Sequence, residues 1–142
     1  MKSEPFVMER TIKAPIEKVW EALTNKDQMK QWYFDLEEFK PEVGFRFEFE
    51  GGDTHKKYLH KCEITEVIPD TKLSHSWRYD GFEGNSFVTW ELFPEGDTTR
   101  VKLTHEGLET FPPNIKAFAK ENFVAGWTEI VGSGLPKYLE NN

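Results

Sequence analysis

The chain contains one cysteine, Cys62, among 142 residues, so an internal disulfide is excluded and a reducing compartment is the compatible setting. No stretch of eighteen apolar residues occurs, and Met1 to Arg10 lacks the apolar core of a signal peptide. A membrane span and a secreted destination are therefore not expected, and the chain reads as cytoplasmic. Basic clusters are missing too. With 18 Lys and Arg against 25 Asp and Glu, the net charge of −7 repels nucleic-acid phosphates and anionic lipid headgroups, which removes nucleic acid and membrane from the expected partners. There is no glycine-rich phosphate loop, no serine-centred nucleophile elbow and no zinc-ligand spacing, so no cofactor and no metal are implied.

Large rings are abundant instead. Twelve phenylalanines, five tryptophans and four tyrosines, in a chain that is 30% charged, describe an aromatic core beneath a charged surface. The length suits one core, and no repeat, linker or low-complexity tract divides residues 1–142, which are read as a single domain.

Periodicity orders the elements. Phe6 to Lys13 alternates as a strand and ends at Ala14-Pro15. Proline at the first helical position opens a helix carrying Ile16, Val19, Trp20 and Leu23 on one face. A short helix through Met29 and Trp32 follows, with Asp27 near its positive end. From residue 35 the period becomes two, and strands are predicted near 35–39, 43–50, 57–68, 72–79, 86–93 and 99–106. Short turns between them make an antiparallel meander the economical reading. After Pro112-Pro113 the spacing is helical again through Phe118, Phe123, Trp127, Ile130 and Leu139. Pro136, which lacks an amide proton, and the weak formers Gly132 and Gly134 predict a kink or break near 132–136.

Strict alternation turns Phe45, Phe47, Phe49, Tyr58, His60, Cys62, Ile64, His75, Trp77, Trp90, Val101, Leu103 and His105 to one face, and would turn Glu66 with them. Arg46, Glu48, Ser76, Arg78 and Glu91 fall on the other. Three inward histidines invite a metal, but no HxH or HxxxH spacing unites them and His55 falls in a turn, so hydrogen-bonded neutral imidazoles are the better reading. Cys62 reads as a small hydrophobe rather than a nucleophile, and Glu37, Glu38 and Glu63 as solvated strand residues.

The element order, together with Ile12-Lys13-Ala14-Pro15-Ile16-Glu17-Lys18-Val19-Trp20-Glu21-Ala22-Leu23-Thr24, Gln31-Trp32-Tyr33, Leu73-Ser74-His75-Ser76-Trp77 and Gly126-Trp127, resembles the START-like, helix-grip superfamily. Birch-pollen-allergen proteins and polyketide cyclases belong to it. The branch it is most similar to is the C-terminal domain of the activator of the ninety-kilodalton heat-shock chaperone ATPase. The resemblance implies an α+β helix-grip fold, β-α-α-β6-α, with a curved seven-stranded antiparallel sheet around a long C-terminal helix. It implies a space for a hydrophobic molecule, and it offers a chaperone as a protein partner, although the chain has no second, chaperone-binding domain.

Three functions follow as expectations. The first is binding of a hydrophobic or aromatic small molecule between sheet and C-terminal helix, in a cavity of roughly 300–1,000 Å³. Its walls would be Trp32, Phe47, Tyr58, His75, Trp77, Phe123 and Trp127, with His60, His75 and His105 as polar anchors. Access is expected near the helix kink and the loops Asp80 to Asn85 and Phe111 to Asn114. The second is a protein-interaction module that regulates a chaperone. The third is a cyclase-like enzyme with His75 or His105 as general acid–base. The pattern favours binding over catalysis, as a monomer or a homodimer.

Overall fold

A computed structural model describes residues 5–33, 36, 38–52, 57–112, 114–115 and 118–140. Strand β1 (Phe6–Ile12) leads into helices α1 (Ile16–Thr24) and α2 (Lys26–Trp32). Strands β2 (Arg46–Gly52), β3 (Lys57–Ile68), β4 (Lys72–Tyr79), β5 (Ser86–Glu95) and β6 (Thr98–Glu106) follow. The chain closes with α3 (Lys120–Glu129), a π-helical turn at Ile130–Gly134 and α4 (Leu135–Glu140). The six strands form one antiparallel sheet in the order β1-β6-β5-β4-β3-β2. Each hairpin neighbour is its own sequence neighbour, and β1 returns beside β6 at the far edge.

Among the described residues the strand expected at 35–39 is absent, so the seven-stranded sheet is corrected to six. Asp35 and Glu37 lie outside the described residues, as does His55. Leu36 and Phe39 are both buried at a spacing of three, which a period-two strand cannot place on one face; the segment plugs the core instead of pairing. Glu38, read as a strand residue, stands exposed near Lys40 in that irregular stretch. The helix start also moves by one residue, with Pro15 as the extended residue before α1. Asn25 ends α1 and caps α2, its side-chain oxygen accepting from Gln28 N at 3.1 Å.

A bulge between Ile64 and Glu66 shifts the β3–β4 register. It reverses the phase beyond it, turning Val67 onto the core and Glu66 out to Lys72, 3.0 Å away. The inward Glu66 is thereby corrected. Every other inward residue read from alternation is buried or packed on the core.

The break predicted near 132–136 becomes a π turn. Leu135 N–H donates to the carbonyl of Ile130, five residues back, so the wider turn absorbs Pro136 and the helix continues. Val131, Leu135, Pro136 and Leu139 remain buried. Lys13 N donates to Glu140 Oε2 at 3.1 Å, fastening the helix end to the β1–α1 corner.

The loops expected to admit a ligand are tied together. Thr110 Oγ1 accepts from Asn85 N at 2.9 Å, and Gly84, at φ +108°, lies so close that a Cβ would stand 2.7 Å from Thr110 O. Above them Phe118 stacks on Tyr79 at 4.3 Å and meets Tyr58, Phe82 and Phe111. Gly84→Ala should cost about 1–3 kcal/mol through left-handed strain and the backbone clash. Gly126, exposed within α3 with open space where a Cβ would go, should behave oppositely. Gly126→Ala should stabilise by about 0.5–1 kcal/mol. Urea unfolding of both variants checks the pair.

Candidate functional site

Trp77 stands at the centre of the inner face because β4 presents Leu73, His75, Trp77 and Tyr79 to the same side. All three inward histidines lie against its ring, His60 at 4.9 Å, His105 at 5.5 Å and His75 at 6.3 Å between centroids. Phe49 and Trp127 each approach it at 5.5 Å. Its indole N–H donates to Tyr79 Oη at 3.0 Å.

His105 is wholly buried and both ring nitrogens are engaged. Trp127 Nε1–H donates to Nδ1 at 3.0 Å, so Nδ1 carries the lone pair and the proton sits on Nε2, which donates to Ser86 Oγ at 2.8 Å. Ser86 passes its own proton to the carbonyl of Trp77 at 2.8 Å. In His60 and His75 the proton sits on Nδ1, which faces the carbonyls of Tyr58 at 3.0 Å and Ser76 at 2.9 Å.

Burial holds all three neutral. It lowers His60 and His75 to about 4, the backbone carbonyls pulling partly back, and lowers His105 to about 3 with His75 adding repulsion. The same desolvation pushes the Tyr33 and Tyr79 phenols and the Cys62 thiol up. A general base poised near neutral pH is not what these surroundings produce, and His105 has no ring atom to offer a substrate.

Much of the predicted wall is packed ring against ring. Trp77, His105, Phe123 and Trp127 pack ring against ring, with Phe123 at 5.2 Å from His105. Tyr58 belongs to the aromatic plug at the loop end, and His60 stacks on Phe49 at 4.5 Å over Gly51, whose missing side chain makes the room. Trp32, Phe47 and His75 line a cavity of about 10 Å³, room for one water. Among the described residues this cavity is smaller than the hundreds of cubic ångströms expected, and the rings around Trp77 pack against one another. Leu73 and Trp90 of the sheet form the floor with Phe47 and His75. Leu23 of α1, Met29 and Trp32 of α2, Tyr33 and Phe39 form the cover. Trp32 is held by its indole N–H, which donates to Ala22 O at 2.9 Å.

Sequence reasoning left out Tyr33 and Phe39, whose segment breaks both periodicities. It also left out Ser86, which shares the phase of Val88, Trp90 and Leu92 and was within reach of the alternation argument. Among the described residues no three His, Cys, Asp or Glu side chains come together as a metal would need, and no helix is long and apolar enough to cross a membrane.

Comparison with known proteins now adds a lineage. A family model described as activator of Hsp90 ATPase homolog 1-like protein matches residues 13–140. The chain belongs to this family. Solved structures similar to this member of the activator family include MLL2253 from Mesorhizobium loti, at 29% identity, covering 98% of both chains with a TM-score of 0.81. Mll3558 from Rhizobium loti, at 22% identity and 98% of both chains, superposes with a TM-score of 0.83 and shares the fold. DynU16, a protein of the dynemicin biosynthetic locus, is similar at 24% identity with a TM-score of 0.79 over 97% of this chain. This family member spans 48% of the DynU16 chain. No match was found among curated proteins.

The buried histidines set a pH dependence. Their folded pKa values lie below the unfolded value near 6.5, so the unfolded chain binds more protons between about pH 4 and 6.5. Stability should be complete above that window and fall as the pH drops through it, with a slope of up to about 4 kcal/mol per pH unit for three protons. Denaturant unfolding between pH 4 and 8 measures it. Ser86→Ala should cost about 1–3 kcal/mol at pH 7.5 by stranding the His105 Nε2–H.

Proposed function

We propose that this activator-family chain binds a hydrophobic or aromatic small molecule on the inner face of its sheet, beneath the cover made by α2 and Phe39. The observation that carries the reading is the cavity itself. Its floor is Phe47, Leu73, His75 and Trp90, an apolar surface with one polar ring, which is the composition of a small-molecule site. At about 10 Å³ it holds no more than a water as it stands. A ligand is accommodated when the cover lifts, and its apparent affinity is reduced by the fraction of open molecules. The cover suits that motion: α2 has seven residues, and the chain after it runs without strand pairing at Leu36 and Phe39. The tied loops at the other end make the helix-and-cover end the better way in.

The likeness of fold to a protein of the dynemicin biosynthetic locus supports a small organic ligand. The family description is the one observation that favours the second reading, a chaperone-regulating module. Against it, the charged outer face of the sheet is engaged with itself. Arg46 pairs with Glu63, Lys61 with Glu48 and Asp80, and Arg100 with Glu9 and Glu95 while lying over Phe93.

Native mass spectrometry of freshly purified protein, followed by denaturing extraction, tests the first reading. One organic molecule per chain is expected, or a one-to-one adduct after equilibration with 2-naphthol. Leu73→Phe, which fills the floor, should lose the adduct while keeping the circular dichroism of the fold. A clean mass under both conditions, with stimulation of a heat-shock chaperone ATPase, would replace this reading with the second.

A further inference from the structure

The cavity carries more information than its shape. His75 is 3% exposed and lines it, and its Nδ1–H is committed to the Ser76 carbonyl at 2.9 Å. A ring with its proton on Nδ1 presents Nε2 as a bare acceptor. No described residue donates a hydrogen bond to that nitrogen. The remaining walls, which include Met29, Trp32, Phe47, Leu73, Trp90 and the Tyr33 phenol, hold no lysine, arginine, aspartate or glutamate. The Trp32 indole N–H is spent on Ala22 O.

We infer that the site selects a neutral aromatic ligand bearing a hydroxyl, whose O–H donates to His75 Nε2 while its ring lies among Trp32, Phe47 and Trp90. This inference rests on the binding reading and narrows it to a ligand class. Each alternative meets an obstacle on the page. A carboxylate would enter a space with no cation, facing the lone pair of a histidine that burial keeps neutral, and would lose its hydration without return. An ammonium would find aromatic faces but no carboxylate to balance its charge. A plain hydrocarbon would fit but offer Nε2 no donor, which the hydroxyl supplies.

The experiment is a matched series on the full chain at pH 7.5: naphthalene, 2-naphthol, 2-naphthoate and protonated 2-naphthylmethylamine, followed by tryptophan fluorescence. 2-Naphthol should bind about tenfold more tightly than naphthalene, and the two charged probes more weakly than either. In His75→Phe the naphthol advantage should vanish while naphthalene binding persists, and His75→Gln, which keeps an acceptor, should restore part of it. Should the variants not fold, the wild-type chain decides: the ¹⁵N resonance of His75 Nε2 should move on adding 2-naphthol and stay in place on adding naphthalene. Equal binding of naphthol and naphthalene, or an unmoved resonance, overturns the donor inference and leaves the binding reading standing. Tightest binding by either charged probe overturns it likewise. Failure of all four probes to bind overturns both.

Discussion

The buried relay from Trp127 through His105 and Ser86 to the Trp77 carbonyl is the constraint on which the arrangement of helix and sheet depends. His105 and Ser86 each accept once and donate once between the Trp127 donor and the Trp77 carbonyl, so the relay has a single consistent assignment of protons. A fully buried imidazole is tolerated only when both nitrogens are satisfied, and His105 finds one partner on β5 and the other on α3. Turning the helix by one residue would carry Trp127 about 100° around its axis and strip Nδ1 of its donor. Apolar rings alone would accept several neighbouring registers of a helix on an aromatic floor. The relay accepts one, and it fixes the orientation of the elements more than it adds to their stability.

From that fixed register follows the crowding around Trp77. Three imidazoles, two indoles and a phenylalanine meet in a volume from which water is excluded, and desolvation keeps every titratable group among them uncharged at neutral pH. The net charge of −7 is carried on the outside, where acids and bases of neighbouring strands answer one another across the sheet. An interior without charge leaves recognition there to shape and to single hydrogen bonds.

How far the sequence carries this picture can be followed residue by residue. Alternation placed Phe47, Phe49, His60, His75, Trp77 and His105 on the inner face because a half-covered strand has a period of two and each hairpin preserved it. It misplaced Glu66 because a bulge adds a residue without leaving a mark in a run of β-formers. It turned 35–39 into a strand because Leu36 and Phe39, read with their polar neighbours, mimic a weak alternation; only the burial of both residues shows a plug. Pro136 announced an irregular helix, but whether a proline breaks a helix or widens it into a π turn depends on what lies beneath. Here Val131, Leu135 and Leu139 hold both halves on the core. The size of the cavity was out of reach altogether, since the same set of rings can stand apart around a ligand or interdigitate. That choice is made by backbone spacing, which composition does not encode.

The two ends of the molecule differ in how they are fastened, which bears on the proposed access at the cover. At the loop end Gly84 and Gly107 bring backbones into contact that no larger residue would permit, Thr110 ties two segments at once, and Phe118 seals the top with four aromatic neighbours. Opening there would break several of these together. At the cover end the fastening is the indole of Trp32 on Ala22 and a set of ring contacts: Trp32 on Trp90, Tyr33 on Phe49, Trp90 and Trp127, and Phe39 on Phe45 and Phe47. A lid must cost only a few kilocalories per mole to lift, or its open state would be too rare for a ligand to find. The short helix α2 lies over the part of the sheet where His75 faces the cavity, so the proposed opening and the proposed acceptor share one end of the molecule.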